Sequence, residues 1–287
     1  MAGSRVERKT RLNGAPQLTQ ADGRRSATVA GHFGEWVQGR LGPGGPLALV
    51  TVACRALAVH VTRAGAGPFA LRQDPEILDA DRARAFLAGL RAAEGRFVLR
   101  ASMPPGGGAG ASTAALVALA RAAGCDGPGL AAACLAAEGA TDPLMEPDPQ
   151  SVLWAPRAAR VLARLAPLPR VEIVGGFLGA PQATDPADLA FPDVADLVDA
   201  MQRAGSPAAL ARIATRSAER CTALRGPPDD PTPRLARTLG ALGHLRAHTG
   251  SARGLIFAPG TIPDHAEAAL GDAGLGRVLR FATGGRA

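Results

Sequence analysis

The sequence contains no tyrosine, and its only lysine is Lys9. A single lysine so near the start excludes the Walker phosphate loop, which needs Gly-Lys-Ser/Thr beside its glycines. The four cysteines, Cys54, Cys125, Cys134 and Cys221, form no C-x-x-C pair. That spacing excludes a paired-cysteine zinc site and reads as reduced thiols in a cytoplasmic protein. No apolar run reaches the roughly 18–20 residues of a membrane span, so no membrane partner is expected. Residues 1–25 are polar and basic with no apolar h-region, and read as a flexible tail rather than a secretory signal. Aromatic residues make up 3% and do not interleave with the arginines as a base-stacking surface would require. The net charge of +7 and pI of about 10.6 therefore do not point to nucleic acid. The charge is nearly all arginine, in a chain rich in alanine, glycine and proline, a pattern resembling the codon bias of a GC-rich genome.

What remains is a chain of 287 residues, 47% hydrophobic and 20% charged, long enough for one large or two modest globular domains. Apolar patterning predicts strands over 26–30 and 47–63, flanking a turn-rich stretch, 31–46. A helix is expected over 74–94, a strand over 97–103 and an apolar helix over 112–123. Further on, a helix is expected over 130–138 and strands over 157–165 and 171–177. The proline-rich stretch 177–192 reads as a junction between domains 26–180 and 181–287. Helices are then expected over 193–204, 207–224 and 233–248, followed by a strand over 253–258, a helix near 263–273 and a strand near 277–282. Mixed elements in this order indicate an α+β protein of two parts.

Between the strand ending near 103 and the helix beginning at 112 lies Pro104-Pro105-Gly106-Gly107-Gly108-Ala109-Gly110-Ala111-Ser112-Thr113. Glycines let such a loop approach a ligand and adopt positive φ. The helix that follows presents unpaired N–H groups and a positive dipole end. Together these make an anion site suited to polyphosphate. A dinucleotide fingerprint is set aside, because it wants an earlier βαβ unit and an acid about 20 residues on.

This loop resembles the second signature of the GHMP kinases, the superfamily of galactokinase, homoserine kinase and mevalonate kinase. Pro104, Gly108, Gly110 and Ser112 fall on its pattern, while Ala109 and Ala111 depart from it. The segment Gly34-Glu35-Trp36-Val37-Gln38-Gly39 is similar to the N-terminal signature of the L-threonine kinases that serve cobalamin assembly. Near the other end, His248-Thr249-Gly250-Ser251 resembles the superfamily's third motif, a turn leading into a strand. The resemblance implies an N-terminal domain like ribosomal protein S5 domain 2, a C-terminal ferredoxin-like domain, and ATP in the cleft between them.

It also implies roles for residues. Pro104, Gly106, Gly107, Gly108, Ala109, Gly110, Ala111, Ser112 and Thr113 would hold ATP, and Ser112 with Glu138 would ligate Mg²⁺. Asp142 would orient or deprotonate the acceptor hydroxyl, with Ser112 beside it as the second catalytic residue. Glu35 and Gln38, in a glycine-bounded segment, are expected on the acceptor, with Glu35 facing the ammonium of an amino acid. His248, Gly250 and Ser251 complete that set, although His248 also fits a helix C-terminal cap. The acceptor implied is L-threonine, yielding L-threonine O-3-phosphate, with homoserine or another small alcohol as the alternative. A reading of a different class is a non-catalytic, basic RNA-binding protein on an S5-like scaffold. Phosphoryl transfer needs phosphate neutralisation, a metal and an oriented hydroxyl, and Ser112, Glu138 and Asp142 supply groups a binding module would not need.

Overall fold

Two long antiparallel strands carry the architecture of this computed structural model, which describes residues 19–21, 24–182 and 185–285. The chain opens with β1 (Thr19–Ala21), β2 (Arg24–Arg40), β3 (Leu47–Gly65) and β4 (Ala70–Asp74). It continues through α1 (Ala80–Gly89), β5 (Arg96–Ala101), α2 (Ala111–Ala122), α3 (Leu130–Glu138), β6 (Val152–Ala155), β7 (Arg160–Arg164) and β8 (Val171–Leu178). The remainder is α4 (Ala195–Met201), α5 (Pro207–Arg225), α6 (Thr232–Thr238), β9 (Gly243–Arg246), β10 (Ala252–Phe257), α7 (Ala266–Asp272) and β11 (Leu275–Thr283). The architecture is α+β, as expected.

Among the described residues the strands form one sheet, in the order β11-β8-β10-β9-β2-β3-β5-β4, with β1 beside β2 and the β6–β7 hairpin attached to β3. Strand β1 lies inside the segment read as a tail and pairs with Arg24–Ser26; residues 1–18 lie outside the described residues. Strand β8, which precedes the expected junction at 180, lies between β10 and β11 and pairs with both.

The stretch 31–46 is not mostly turn. β2 runs on to Arg40 in pairing with β3, with register shifts at Ala30/Gly31, His32/Glu35 and Glu35/Val37; Gly34, at φ 67°, sits in the second of them. The segment expected as a helix over 74–94 folds as helix only over α1. Gln73 holds the preceding turn, its Oε1 accepting from the N–H groups of Ile77 and Leu78, and Asp79 caps the helix through the N–H of Arg82. The strand expected over 157–165 is β7, which pairs in a hairpin with β6, a strand not expected from the sequence. Residues 233–248 do not form one helix either. α6 stops at Thr238, Gly240 takes φ 69°, and β9 follows. A Cβ at Gly243 would lie 2.7 Å from the Ala211 carbonyl oxygen of α5, so only glycine allows this strand to sit so close to the helix.

Helix α2 is buried nearly all round, from Ala111 to Ala122, and packs on β2 and β3. Its small side chains permit that close approach, and its apolar circumference fits a core helix rather than a surface one. Phe33 of β2 joins the two halves of the sheet. Its ring meets Phe177 of β8 and Phe281 of β11 edge-on, each at 5.5 Å between centroids.

Candidate active site

The glycine loop is built from behind. Its carbonyls face other elements: Ala109 O accepts from His32 N, Gly108 O from Gly34 N, Gly107 O from Ala252 N and Gly106 O from Gln182 N. The glycines are needed on that same side. A Cβ at Gly107 would lie 2.8 Å from the Phe177 ring, at Gly108 2.3 Å from the Ala247 Cβ, and at Gly110 2.6 Å from the His32 ring. Gly250, from the turn before β10, presses its backbone on Gly108, where an added Cβ would lie 2.3 Å from the Gly108 nitrogen. So the first and third sequence motifs clamp the second. Gly110 begins α2 with φ 73° and ψ 25° and no side-chain cap, leaving the first-turn N–H groups of Ala111, Ser112 and Thr113 without a helical acceptor.

This helix end opens on a cleft of about 340 Å³. Gly106, Gly107, Gly108, Ala109, Gly110, Ala111, Ser112, Thr113, Glu35, Gln38, Glu138, Asp142, His248 and Gly250 all line it. Two expected residues do not. Pro104 supports the loop from outside, its carbonyl accepting from Gly107 N, and Ser251 faces a separate cavity while its carbonyl accepts from Leu178 N.

Thr113 arranges the acids. Its buried hydroxyl donates to Glu138 Oε1 at 2.6 Å and accepts from the Asp142 N–H at 3.2 Å. Burial, first of all, raises the Glu138 carboxyl to about 7, against the lowering effect of bonds from Thr113 and Ser112. The Asp142 segment is fixed independently, because the indole N–H of Trp154 donates to Thr141 O at 2.6 Å.

Asp142 has a cationic neighbour that the sequence motifs did not single out. His32 Nε2 lies 3.2 Å from Asp142 Oδ2, and its Nδ1 lies 3.2 Å from Gly34 O and 3.8 Å from Glu35 Oε1. Both ring nitrogens face oxygen acceptors, so the ring is an imidazolium with two N–H donors. Burial opposes that charge, but Asp142 first and Glu35 after it outweigh burial and raise the pKa to about 9. Only its place two residues before the Gly34–Gly39 segment could have drawn attention to His32.

Glu35 is buried; one carboxyl oxygen, Oε2, accepts the N–H of His248 at 3.3 Å. Burial raises its pKa to about 7, against the pull of His32. Gln38, which lines the same cleft, has its Oε1 buried without a donor among the described residues. His248 is not at a helix end, since it follows β9. It stacks on Phe191 at 4.0 Å and 3°, while Arg157 and Arg225 approach the Phe191 ring at 5.8 and 5.5 Å. Burial, then Arg225, lowers the His248 pKa to about 3, so its ring is neutral.

No protein-family model matches the chain, and no curated protein matches its sequence. Solved structures do match its fold. A mevalonate kinase of L. major in complex with R-mevalonate aligns at TM-score 0.61 and 13% identity, over 94% of this chain and 98% of that one. A mevalonate kinase from methicillin-resistant Staphylococcus aureus aligns at 0.56 and 17%, over 91% and 100%. MDDEF in complex with MVAPP, AMPPCP and magnesium aligns at 0.58 and 12%, over 91% and 97%. The chain thus has the GHMP kinase fold.

Proposed function

We propose that this chain is an ATP- and Mg²⁺-dependent kinase that phosphorylates the hydroxyl of a small amino acid, L-threonine first among them. The observation that carries the reading is the pairing of an uncapped, glycine-led helix N-terminus with two carboxylates set on either side of Thr113. The loop turns its carbonyls toward the protein and leaves N–H groups and a helix dipole for the cleft, which suits a polyphosphate.

The donor set also suits Mg²⁺. Among the described residues no group of three or more His, Cys, Asp or Glu could hold a metal. Mg²⁺ bound with a nucleotide takes one or two protein ligands and completes its shell with phosphate oxygens and water. Glu138 and the Ser112 hydroxyl are those two ligands in this reading. Bound there, the ion would neutralise charge on the phosphates during transfer. The loop amides hold the phosphates, and Asp142, kept in place by Trp154 and His32, orients the acceptor hydroxyl and receives its proton at Oδ1 or Oδ2.

Glu35 and Gln38 both line the cleft, and Gln38 Oε1 has no donor among the described residues. Both fit an ammonium, which supports an amino acid over a plain alcohol. Threonine is preferred on the Gly34–Gly39 segment, and its phosphate would enter the nucleotide loop of cobalamin. The RNA-binding reading is not favoured, because Ser112, Glu138 and Asp142 bring to the cleft groups that a pure binding module would not need.

The test is ADP release by purified protein with Mg-ATP and L-threonine, L-serine, L-homoserine or no acceptor. Threonine-dependent turnover that yields threonine phosphate and is lost in Ser112→Ala is the expected result. Turnover with homoserine alone would overturn the threonine assignment, and no turnover or ATP binding would overturn the kinase.

A further inference from the structure

Behind the turn 248–250, which it shares as a wall with the cleft, lies a second cavity of about 510 Å³. Arg225, Arg246 and Arg253 line it. Arg246 and Arg253 are only 7% and 3% exposed. Guanidinium groups in such a place need anions, because burial removes the water that solvates their charge. Two have one: Arg253 Nε donates to Asp230 Oδ2 at 2.6 Å, and Arg225 pairs with Asp188.

Arg246 has none. It donates from Nη1 to Thr222 Oγ1 and Gly226 O, and from Nε to Ala247 O, all uncharged. Its cross-strand neighbour Glu35 is turned toward His32 and the N–H of His248, and burial keeps that carboxyl partly protonated at neutral pH. Three guanidiniums therefore share two carboxylates. The Nη2 groups of Arg246 and Arg253 are used in none of the bonds just described, and Arg225 Nε is buried without an acceptor among the described residues.

We propose that this pocket binds a small oxyanion, a phosphate or carboxylate group, through Arg225, Arg246 and Arg253. Planar guanidiniums with spare N–H donors match an oxyanion in shape and charge, which ammonium groups do so less well. The site is separate from the glycine loop but touches it through one wall. Gly250 lies against Gly108, so an anion that steadies the turn 248–250 also steadies the phosphate loop.

Calorimetric titration of the full chain with inorganic phosphate tests this without relying on kinase activity. One saturable site is expected. Arg246→Gln and Arg225→Gln should each weaken it at least tenfold, while Ser112→Ala at the glycine loop leaves it unchanged. Arg225 is partly exposed, so Arg225→Gln keeps the test open if Arg246→Gln does not fold, as judged by circular dichroism. Displacement of phosphate by a carboxylate-bearing acceptor would assign the anion to the acceptor, and retention would assign it to a free ion. Either result supports the pocket. The proposal fails if wild type shows no saturable site, if both arginine variants bind as wild type does, or if only Ser112→Ala loses the ion.

Discussion

Replacing His32 tests the electrostatic centre of the site, because a buried imidazolium joins Asp142 to Glu35. The folded pKa of about 9 stands above the ordinary 6.5. A group raised in this way contributes stability that is fully present below pH 6.5 and is lost as pH rises through 9. That gap is worth about 3 kcal/mol. Glu35 titrates in the neighbouring range, from 4.5 toward about 7, and would blur the reading. The comparison is therefore made in a Glu35→Gln background, with and without His32→Gln. Removing Glu35 also removes a lesser source of the shift, so about 2–3 kcal/mol is expected. Urea unfolding at pH 6 should show His32 more stabilising by that amount than at pH 10. A difference that stays constant across this range would refute the charged histidine, and with it the imidazolium–Asp142 pair.

Thr113→Val keeps the shape of the side chain but removes the donor to Glu138 and strands the half-buried Asp142 N–H. It should cost about 3 kcal/mol in urea unfolding and lower kcat at least tenfold, because both acids lose their shared support. Gly108→Ala places a Cβ 2.3 Å from the Ala247 Cβ at φ 74°, whereas Gly42→Ala at φ 81° meets open space. Thermal unfolding should register about 3 kcal/mol for the first and about 1 kcal/mol for the second; equal losses would mean that strain rather than the clamp on the loop dominates. Glu35→Gln should raise KM for the amino-acid acceptor at least tenfold and leave KM for ATP within about twofold. Steady-state kinetics with each substrate varied would expose equal effects on both, which would remove Glu35 from the acceptor.

Elements held by local signals were legible in the sequence. α3 has the expected bounds, 130–138, and α2 begins one residue from the expected start, after the glycine loop. Two strands resisted reading because their partners are distant. β2 continues through Gly31, Gly34 and Gly39 only because β3 holds it across bulges, and 243–246 becomes β9 because β10 pairs with it. Alone, those residues carry turn and helix signals. Glu35, Glu138 and Asp142 were named through the resemblance and all line the cleft, but His32 was not named, since it is singled out by a contact with Asp142 110 residues away.

At the glycine loop, the reason read from the glycines alone is incomplete. Its glycines read as room for a ligand, yet the missing Cβ atoms would strike Phe177, Ala247 and His32 behind the loop. Those contacts press the loop backbone against β2 and β10 and occupy its carbonyls. With the carbonyls spent there, the N–H groups of the first turn of α2 are what the cleft receives. Packing behind the loop, and not only space in front of it, therefore selects glycine here. A substitution that left the cleft untouched but filled the rear of the loop would still be expected to weaken phosphate binding.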